Sequence, residues 1–180
     1  MPLLNTKRTY GAVARALHWW MAALMIALVC LGLYMTEQPD GDAKWALYDL
    51  HKSLGTTLFV LLVLRIFWRA YSPPPSMPSS MSYLEQSVAR YGHFLLYLCM
   101  FALPVSGYLD SSLGGYHISV FGWFEVPMLL KENKPLGEIA DTIHTLLAYG
   151  LILLVVAHAG AAFKHHFVQK DDVLRRMLGK

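Results

Sequence analysis

The chain has 180 residues, of which 56% are apolar and 15% are charged, and its mean hydropathy is +0.40. This balance excludes an ordinary soluble globular domain and indicates a membrane protein, and we expect no nucleic-acid partner. The net charge of +3 is modest, so the placement of the charges is more informative than their sum. Cys30 and Cys99 lie singly in apolar segments, outside any CxxC motif, and are expected to be core residues.

The first apolar segment, residues 16–36, carries no charge and follows a short basic amino terminus. It is longer than the apolar region of a signal peptide and lacks an A-x-A-like cleavage site before Glu37, so an uncleaved transmembrane helix is expected. A second apolar segment ends with Arg65 and Arg69, whose long side chains can reach the headgroups. The four predicted spans are approximately residues 16–36, 45–68, 91–109 and 142–163. They predict an all-α, four-helix transmembrane bundle that forms a single domain over residues 1–180.

The connections between the predicted spans differ in character. Residues 72–82 contain four prolines and predict an extended connector. The third span contains Pro104, which predicts a kink. In the longest connection, residues 118–130 are rich in aromatic side chains but too few to cross a bilayer. They are expected to lie on the membrane surface or to cap the bundle.

The distribution of basic residues predicts the orientation. Eleven of the fifteen lysines and arginines lie in the amino terminus, in the second-to-third connection with its flanks, and in the carboxyl-terminal tail. Cytoplasmic segments carry an excess of such residues. Both termini are therefore expected in the cytoplasm, in a multi-pass protein of the bacterial inner (plasma) membrane.

Two histidines in the fourth span, His144 and His158, are the strongest functional signal. They are fourteen residues apart, which brings both imidazoles to within about 40° of one direction and separates them by roughly 21 Å along the helix. One then lies near each membrane surface. Ionisable or metal-binding side chains in hydrocarbon mark functional sites, and neutral imidazole is a common axial ligand of haem iron.

The depths of the other histidines supply partners for these two. His18 begins the first span at the inner surface, level with His158, and His51 begins the second span at the outer surface, level with His144. The sequence therefore predicts two haems, one for each leaflet, with these pairs as axial ligands. Small residues one turn from the proposed ligands would leave room for the macrocycles: Ala22, Gly55, Ala148, Ala161 and Ala162.

Other assignments remain open. His93 also begins a span at the inner surface and could replace His18 or bond a haem propionate. His165 and His166 are expected to face solvent or headgroups, although they could carry protons to an inner substrate site. A single histidine near a helix end is more often an interfacial polar residue than a ligand, but a haem-free structural protein would need four depth-matched histidines by coincidence.

The sequence resembles the bacterial cytochrome b561 family over nearly its whole length. The residues that carry the resemblance are His18-Trp19, His51 with Gly55, the proline-rich connector, Gly92-His93, Ala102-Leu103-Pro104-Val105 with Gly107, Phe121-Gly122 leading to Pro127, and His144, His158, His165-His166 and Lys170-Asp171. Within the family the chain resembles the stand-alone di-haem members that oxidise superoxide and pass the electrons to ubiquinone. In relatives the fourth helix likewise supplies a ligand to each haem. The larger animal and plant proteins that use ascorbate fit poorly.

The resemblance implies an activity. Superoxide would reduce the outer haem, and the electron would pass to the inner haem and on to ubiquinone with cytoplasmic protons. Lys52, beside His51, is the candidate for attracting the superoxide anion, although the outer loops also carry many acidic residues. His93, His165 and His166 are candidates for the quinone and proton side.

A second function from another class stays open. The protein could be a cytochrome b anchor that passes electrons between a partner dehydrogenase or soluble cytochrome and the quinone pool. Hydrogenase and formate dehydrogenase haem subunits share the histidine pattern. The short loops, which offer no large docking domain, favour a self-sufficient enzyme for which a protein partner is not required.

Overall fold

The computed structural model describes residues 2–78 and 80–179. Four long helices account for most of the chain, and a small hairpin, a π-helical turn and a short helix complete it. In chain order the elements are α1 (Ala12–Thr36), α2 (Asp42–Tyr71), α3 (Tyr83–Leu113), β1 (Ser119–Val120), β2 (Phe124–Glu125), α4 (Lys134–Phe163), the π-helical turn (Lys164–Gln169) and α5 (Val173–Leu178). The predicted all-α bundle is confirmed, and all four long helices are long and apolar enough to cross a membrane.

The helices extend beyond the apolar segments that predicted them. Helix α3 begins eight residues before the predicted start, because Ser82 and Glu85 form a capping box at its amino terminus. Helix α4 likewise begins eight residues early, where the Asn133 side chain accepts from the Leu136 amide and Pro135 occupies the first turn. Pro104 lies inside α3, and the helix continues through it. Hydropathy therefore locates the spans, whereas polar capping residues set their ends.

The helices form two hairpins, in which α1 packs along α2 and α3 packs along α4. Contacts between α2 and α3 are fewer. Apolar side chains from all four helices meet in the middle of the bundle: Met21, Leu28, Leu58, Leu62, Leu96, Met100 and Leu151. Most other apolar side chains point outward, as expected of helices whose lateral surface faces lipid.

One end of the bundle gathers both termini and the connector of residues 72–82, and we call it the terminal end. The Asn5 side-chain amide donates to the Ser72 carbonyl at 2.7 Å, and the Trp19 indole donates to the Met177 carbonyl at 3.0 Å. Arg176 donates to the Ser76 carbonyl at 2.7 Å. These bonds tie the amino-terminal segment, the connector and α5 together.

The opposite end, which we call the hairpin end, is covered by the segment predicted to cap the bundle or lie on the membrane. Strands β1 and β2 pair antiparallel, with Ser119 opposite Glu125. The turn places Phe121 and Gly122 at positive φ, 52° and 73°. The buried Ser53 hydroxyl of α2 accepts from the Phe121 amide at 3.1 Å and lies 3.1 Å from the Ser119 carbonyl oxygen. The segment therefore docks on α2.

Candidate electron-transfer sites

The first histidine pair lies towards the hairpin end and joins α2 to α4. The ring centroids of His51 and His144 are 6.3 Å apart with an interplanar angle of 77°. Nδ1 of His144 lies 3.0 Å from the Leu103 carbonyl oxygen, which can only accept, so Nδ1 carries the proton. Nε2 of His144 then keeps its lone pair. A ring that donates to a backbone carbonyl is the usual arrangement of a metal-binding histidine.

Two glycines fix the positions of these rings. A Cβ at Gly107 of α3 would lie 3.2 Å from Cε1 and 3.3 Å from Nδ1 of His144, and one at Gly32 of α1 would lie 3.3 Å from Cε1 of His51. Each ring therefore rests against the neighbouring helix of its own hairpin. The role of Gly32 was not predicted from the sequence. The sequence feature that could have indicated this role is the depth of Gly32 in the first span, opposite His51.

The His51 ring has an unmet hydrogen-bonding requirement. Among the residues that the structure describes, its Nδ1 is buried and has no hydrogen-bond partner. Buried polar atoms are nearly always paired, and leaving one unpaired destabilises a fold by about 1–3 kcal/mol. One turn along α2, a Cβ at Gly55 would meet nothing within 4 Å. The surroundings of His51 thus offer both an unpaired ring atom and open space at the glycine predicted to leave room.

The second pair lies towards the terminal end and joins α1 to α4. The ring centroids of His18 and His158 are also 6.3 Å apart, with an interplanar angle of 60°. His93 of α3 approaches His158 more closely, at 5.3 Å. The Arg65 guanidinium lies 3.1 Å from Nδ1 of His18 and donates to the Tyr97 hydroxyl at 3.0 Å. Since a guanidinium only donates, Nδ1 of His18 accepts in this contact.

The ring separations fit bis-histidine coordination of a metal. Imidazole nitrogens bind transition metals at about 2.0–2.1 Å, which puts the centroids of two rings on opposite sides of one ion about 6 Å apart. Both predicted pairs match this separation. The rings of His93 and His158 are about 1 Å closer than the two other pairs, so the geometry favours His18 over His93 as the partner of His158. His93 instead lines a cleft with Arg69, Arg90 and Tyr97.

Two contacts hold the ammonium group of Lys52. Its Nζ donates to the His117 carbonyl at 3.4 Å and lies 5.5 Å from the centre of the Tyr116 ring. The side chain is therefore held at the hairpin end, on the residue after His51, and is partly buried. Its electrostatic neighbours include Asp49 and Asp110.

The structure contradicts the expected exposure of His165. The ring is only 7% exposed, and its Nδ1 lies 2.6 Å from Asp171 Oδ2. The π-helical turn and the positive φ of Lys170, 55°, bring Asp171 back onto the ring. His166 packs its ring on Phe167, with centroids 4.8 Å apart. The pairing of Asp171 with His165 was not predicted from the sequence.

The fold and these sites define a class of protein. A four-helix membrane bundle that opposes two imidazole pairs, one towards each end, presents side chains of the type that ligate b-type haem. The chain belongs to the prokaryotic cytochrome b561 family, whose model matches residues 9–180. Members of this family bind haem b, transfer electrons across the membrane as oxidoreductases and interact with quinones. The chain is thus a bacterial membrane protein.

Individual relatives align over most of their lengths. Cytochrome b561 homolog 2 of Escherichia coli (strain K12) is 42% identical over 181 residues, covering 100% of this chain and 96% of the relative. Cytochrome b561 homolog 1 of the same organism is 30% identical over 165 residues, covering 90% and 92%. A probable superoxide oxidase, CybB, of Yersinia pestis is 29% identical over 177 residues, covering 96% and 97%. The relative with a substrate in its name is thus less similar than homolog 2.

Proposed function

We propose that the protein holds two haems b, one between His18 and His158 and the other between His51 and His144. The observation that carries this proposal is that both ring pairs have the same 6.3 Å separation, at opposite ends of one bundle. Bound there, the haems would supply reversible one-electron transfer through the bilayer. Bis-histidine ligation leaves no open iron position, which suits electron transfer rather than ligand binding.

We further propose that the terminal end faces the cytoplasm and the hairpin end faces the periplasm, in the inner membrane. The excess of lysine and arginine in the segments gathered at the terminal end supports this orientation.

The activity we propose is a superoxide:ubiquinone oxidoreductase. Two superoxide anions would each lose one electron at the periplasmic end and leave as dioxygen, and one ubiquinone would take up two electrons and two cytoplasmic protons to become ubiquinol. The name of the Yersinia pestis relative supports this substrate. So does Lys52, whose ammonium group lies at the hairpin end, next in sequence to His51, and would attract an anion.

We propose that the quinone binds and takes up protons at the terminal end. His93 lines a cleft that two arginines and aromatic side chains complete, and it lies close to His158. The buried His165 with Asp171, and His166 beside them, would supply protons to a quinone there. A histidine hydrogen-bonded to a carboxylate is oriented for proton transfer.

The deciding experiment uses the purified protein in detergent with a superoxide source and a soluble ubiquinone analogue. Haem reduction and quinol formation are followed optically, with catalase present throughout and superoxide dismutase as the control. We expect haem reduction and quinol accumulation that dismutase abolishes. Haems that stay oxidised in superoxide would contradict the proposed activity and leave the haem assignment intact.

One observation favours the second candidate, an electron conduit for a partner protein. The segments assigned to the hairpin end carry nine acidic residues against four lysines. Such a surface repels anions and attracts a basic soluble electron donor. This function predicts that the isolated protein is redox-active but does not react with superoxide, so the same experiment separates the two.

A further inference from the structure

The two histidine pairs differ in their contacts with charged side chains. Arg65 is the cation of the terminal-end pair. Its guanidinium is held by the Tyr97 hydroxyl at 3.0 Å and reaches His18 Nδ1 at 3.1 Å. Its charge also acts on His158 and His93. Arg69 adds a second guanidinium, 5.7 Å from the centre of the Tyr97 ring. A partly buried cation therefore contacts one ring of this pair directly.

The hairpin-end pair lacks such a contact. Among the residues that the structure describes, no charged side chain hydrogen-bonds to the Nδ1 atom of either ring: Nδ1 of His144 lies 3.1 Å from the Ser106 hydroxyl and 3.0 Å from the Leu103 carbonyl oxygen, and Nδ1 of His51 has no partner. His144 donates its Nδ1 proton to the Leu103 carbonyl. Such donation makes an imidazole a stronger metal ligand and stabilises the oxidised metal.

We propose that Arg65 makes the terminal-end haem site the stronger electron acceptor of the two by raising its reduction potential. Reduction adds one negative charge to a haem site in low-dielectric surroundings, where a fixed cation stabilises it and a fixed anion destabilises it. A neutral imidazole that binds iron has no lone pair left to accept a hydrogen bond, so Nδ1 of His18 would not accept from Arg65 once haem is bound. The guanidinium, held by the Tyr97 hydroxyl, would then act on the site through space.

This inference rests on the proposed two-haem function and adds a direction to it. An electron that enters at the hairpin end moves towards the terminal end because the equilibrium favours that site. In the proposed orientation this direction leads from the periplasm to the quinone side. Arg65 is a positioning residue in this scheme, since it does not ligate the metal.

Potentiometric titration of the purified, haem-loaded protein tests the inference without any assay of turnover. Arg65→Gln removes the cation and Arg65→Lys keeps it. We expect Arg65→Gln to lower the reduction potential of the terminal-end site by about 59 mV or more. A shift of that size corresponds to a tenfold change in a one-electron equilibrium. Arg65→Lys should keep most of the wild-type potential.

Each site is assigned by repeating the titration in a His144→Ala background, which should keep only the terminal-end haem. Should that variant fail to fold, electron paramagnetic resonance during titration of the two-haem protein resolves the two low-spin signals. Equal shifts in Arg65→Gln and Arg65→Lys, or no shift in Arg65→Gln, would overturn the inference. Extraction of fewer than two haems per wild-type chain would instead contradict the proposed function.

Discussion

Two glycines lie against the hairpin-end histidine rings and leave room for them because they carry no side chain. At Gly107 a Cβ would approach the His144 ring to 3.2 Å, which is closer than ordinary van der Waals contact. A side chain at that position would therefore shift the ring from its present placement relative to His51. The same argument applies to Gly32 on the other side.

We therefore predict that Gly107→Val loses the hairpin-end haem while the other haem stays bound. The branched side chain would push the His144 ring out of line and weaken its bond to the Leu103 carbonyl. The measurement is the ratio of extracted haem to protein. Gly160→Ala is the matched control, because a Cβ at that exposed position of α4 meets nothing within 4 Å. Full haem content in Gly107→Val would contradict the ring placement.

Whether His18 or His93 is the axial partner of His158 also depends on the placement of single residues. We predict that His18→Ala loses the terminal-end haem and that His93→Ala retains it, because the 6.3 Å pair fits coordination and the 5.3 Å pair is too close. Haem content and the optical spectrum of the two variants, purified side by side, check this. Retention in His18→Ala together with loss in His93→Ala would reverse the assignment.

The predicted histidines and the missed His165–Asp171 pair differ in whether a regular sequence pattern marks their positions. His18, His51, His144 and His158 could be placed from sequence because helix periodicity and membrane depth are regular. The His165–Asp171 pair could not, because it depends on a π-helical turn and a positive φ that the apolar pattern does not encode. Asp171 was part of the family resemblance, but its partner was not predicted.

Among the elements, the π-helical turn offers a test of the quinone side. We predict that Asp171→Asn slows ubiquinol formation and leaves haem content and haem reduction by superoxide unchanged, because it removes the carboxylate 2.6 Å from His165 Nδ1. Asp172→Asn is the control, since that exposed residue bonds Arg176 within α5. Equal quinol formation in Asp171→Asn and the wild type would exclude the pair from proton supply.

The buried Ser53 hydroxyl contacts the β-hairpin at Ser119 of β1 and at Phe121 of the turn. We predict that Ser53→Ala destabilises its docking by about 1–3 kcal/mol, because the Phe121 amide loses its acceptor. Limited proteolysis within residues 114–133 should become faster. Ser87→Ala, whose hydroxyl bonds only a carbonyl of its own helix, should not change the rate. A Ser53→Ala protein as resistant as the wild type would show that the hairpin docks by other contacts.

The four spans were predicted because twenty or so apolar residues have few alternatives to a membrane helix. The ends of these helices were not predicted. Ser82, Glu85 and Asn133 extend two of the helices into polar sequence by bonding to backbone amides. The hairpin strands have two residues each, too few for an alternating pattern to be visible. Fold class thus follows from hydropathy, while end structure follows from individual hydrogen bonds.

At the scale of the whole molecule, the function depends on orientation. The same bundle inserted the other way would present Lys52 to the cytoplasm and His165 to the periplasm, and the proposed reaction would run between the wrong compartments. Eleven of fifteen basic residues lie on the segments assigned to the terminal end. This bias predicts that the terminal end stays in the cytoplasm.

Cysteine labelling tests this prediction. With Cys30 and Cys99 replaced by alanine, single cysteines are placed by Ser80→Cys at the terminal end and by Glu132→Cys in the connection that includes the hairpin. Both positions are exposed and neither removes a basic residue. A membrane-impermeant maleimide should label Glu132→Cys in intact spheroplasts and Ser80→Cys only after lysis. The reverse pattern would place His51 and Lys52 on the cytoplasmic side, where external superoxide has no access, and the conduit function would then be the better account of the same bundle.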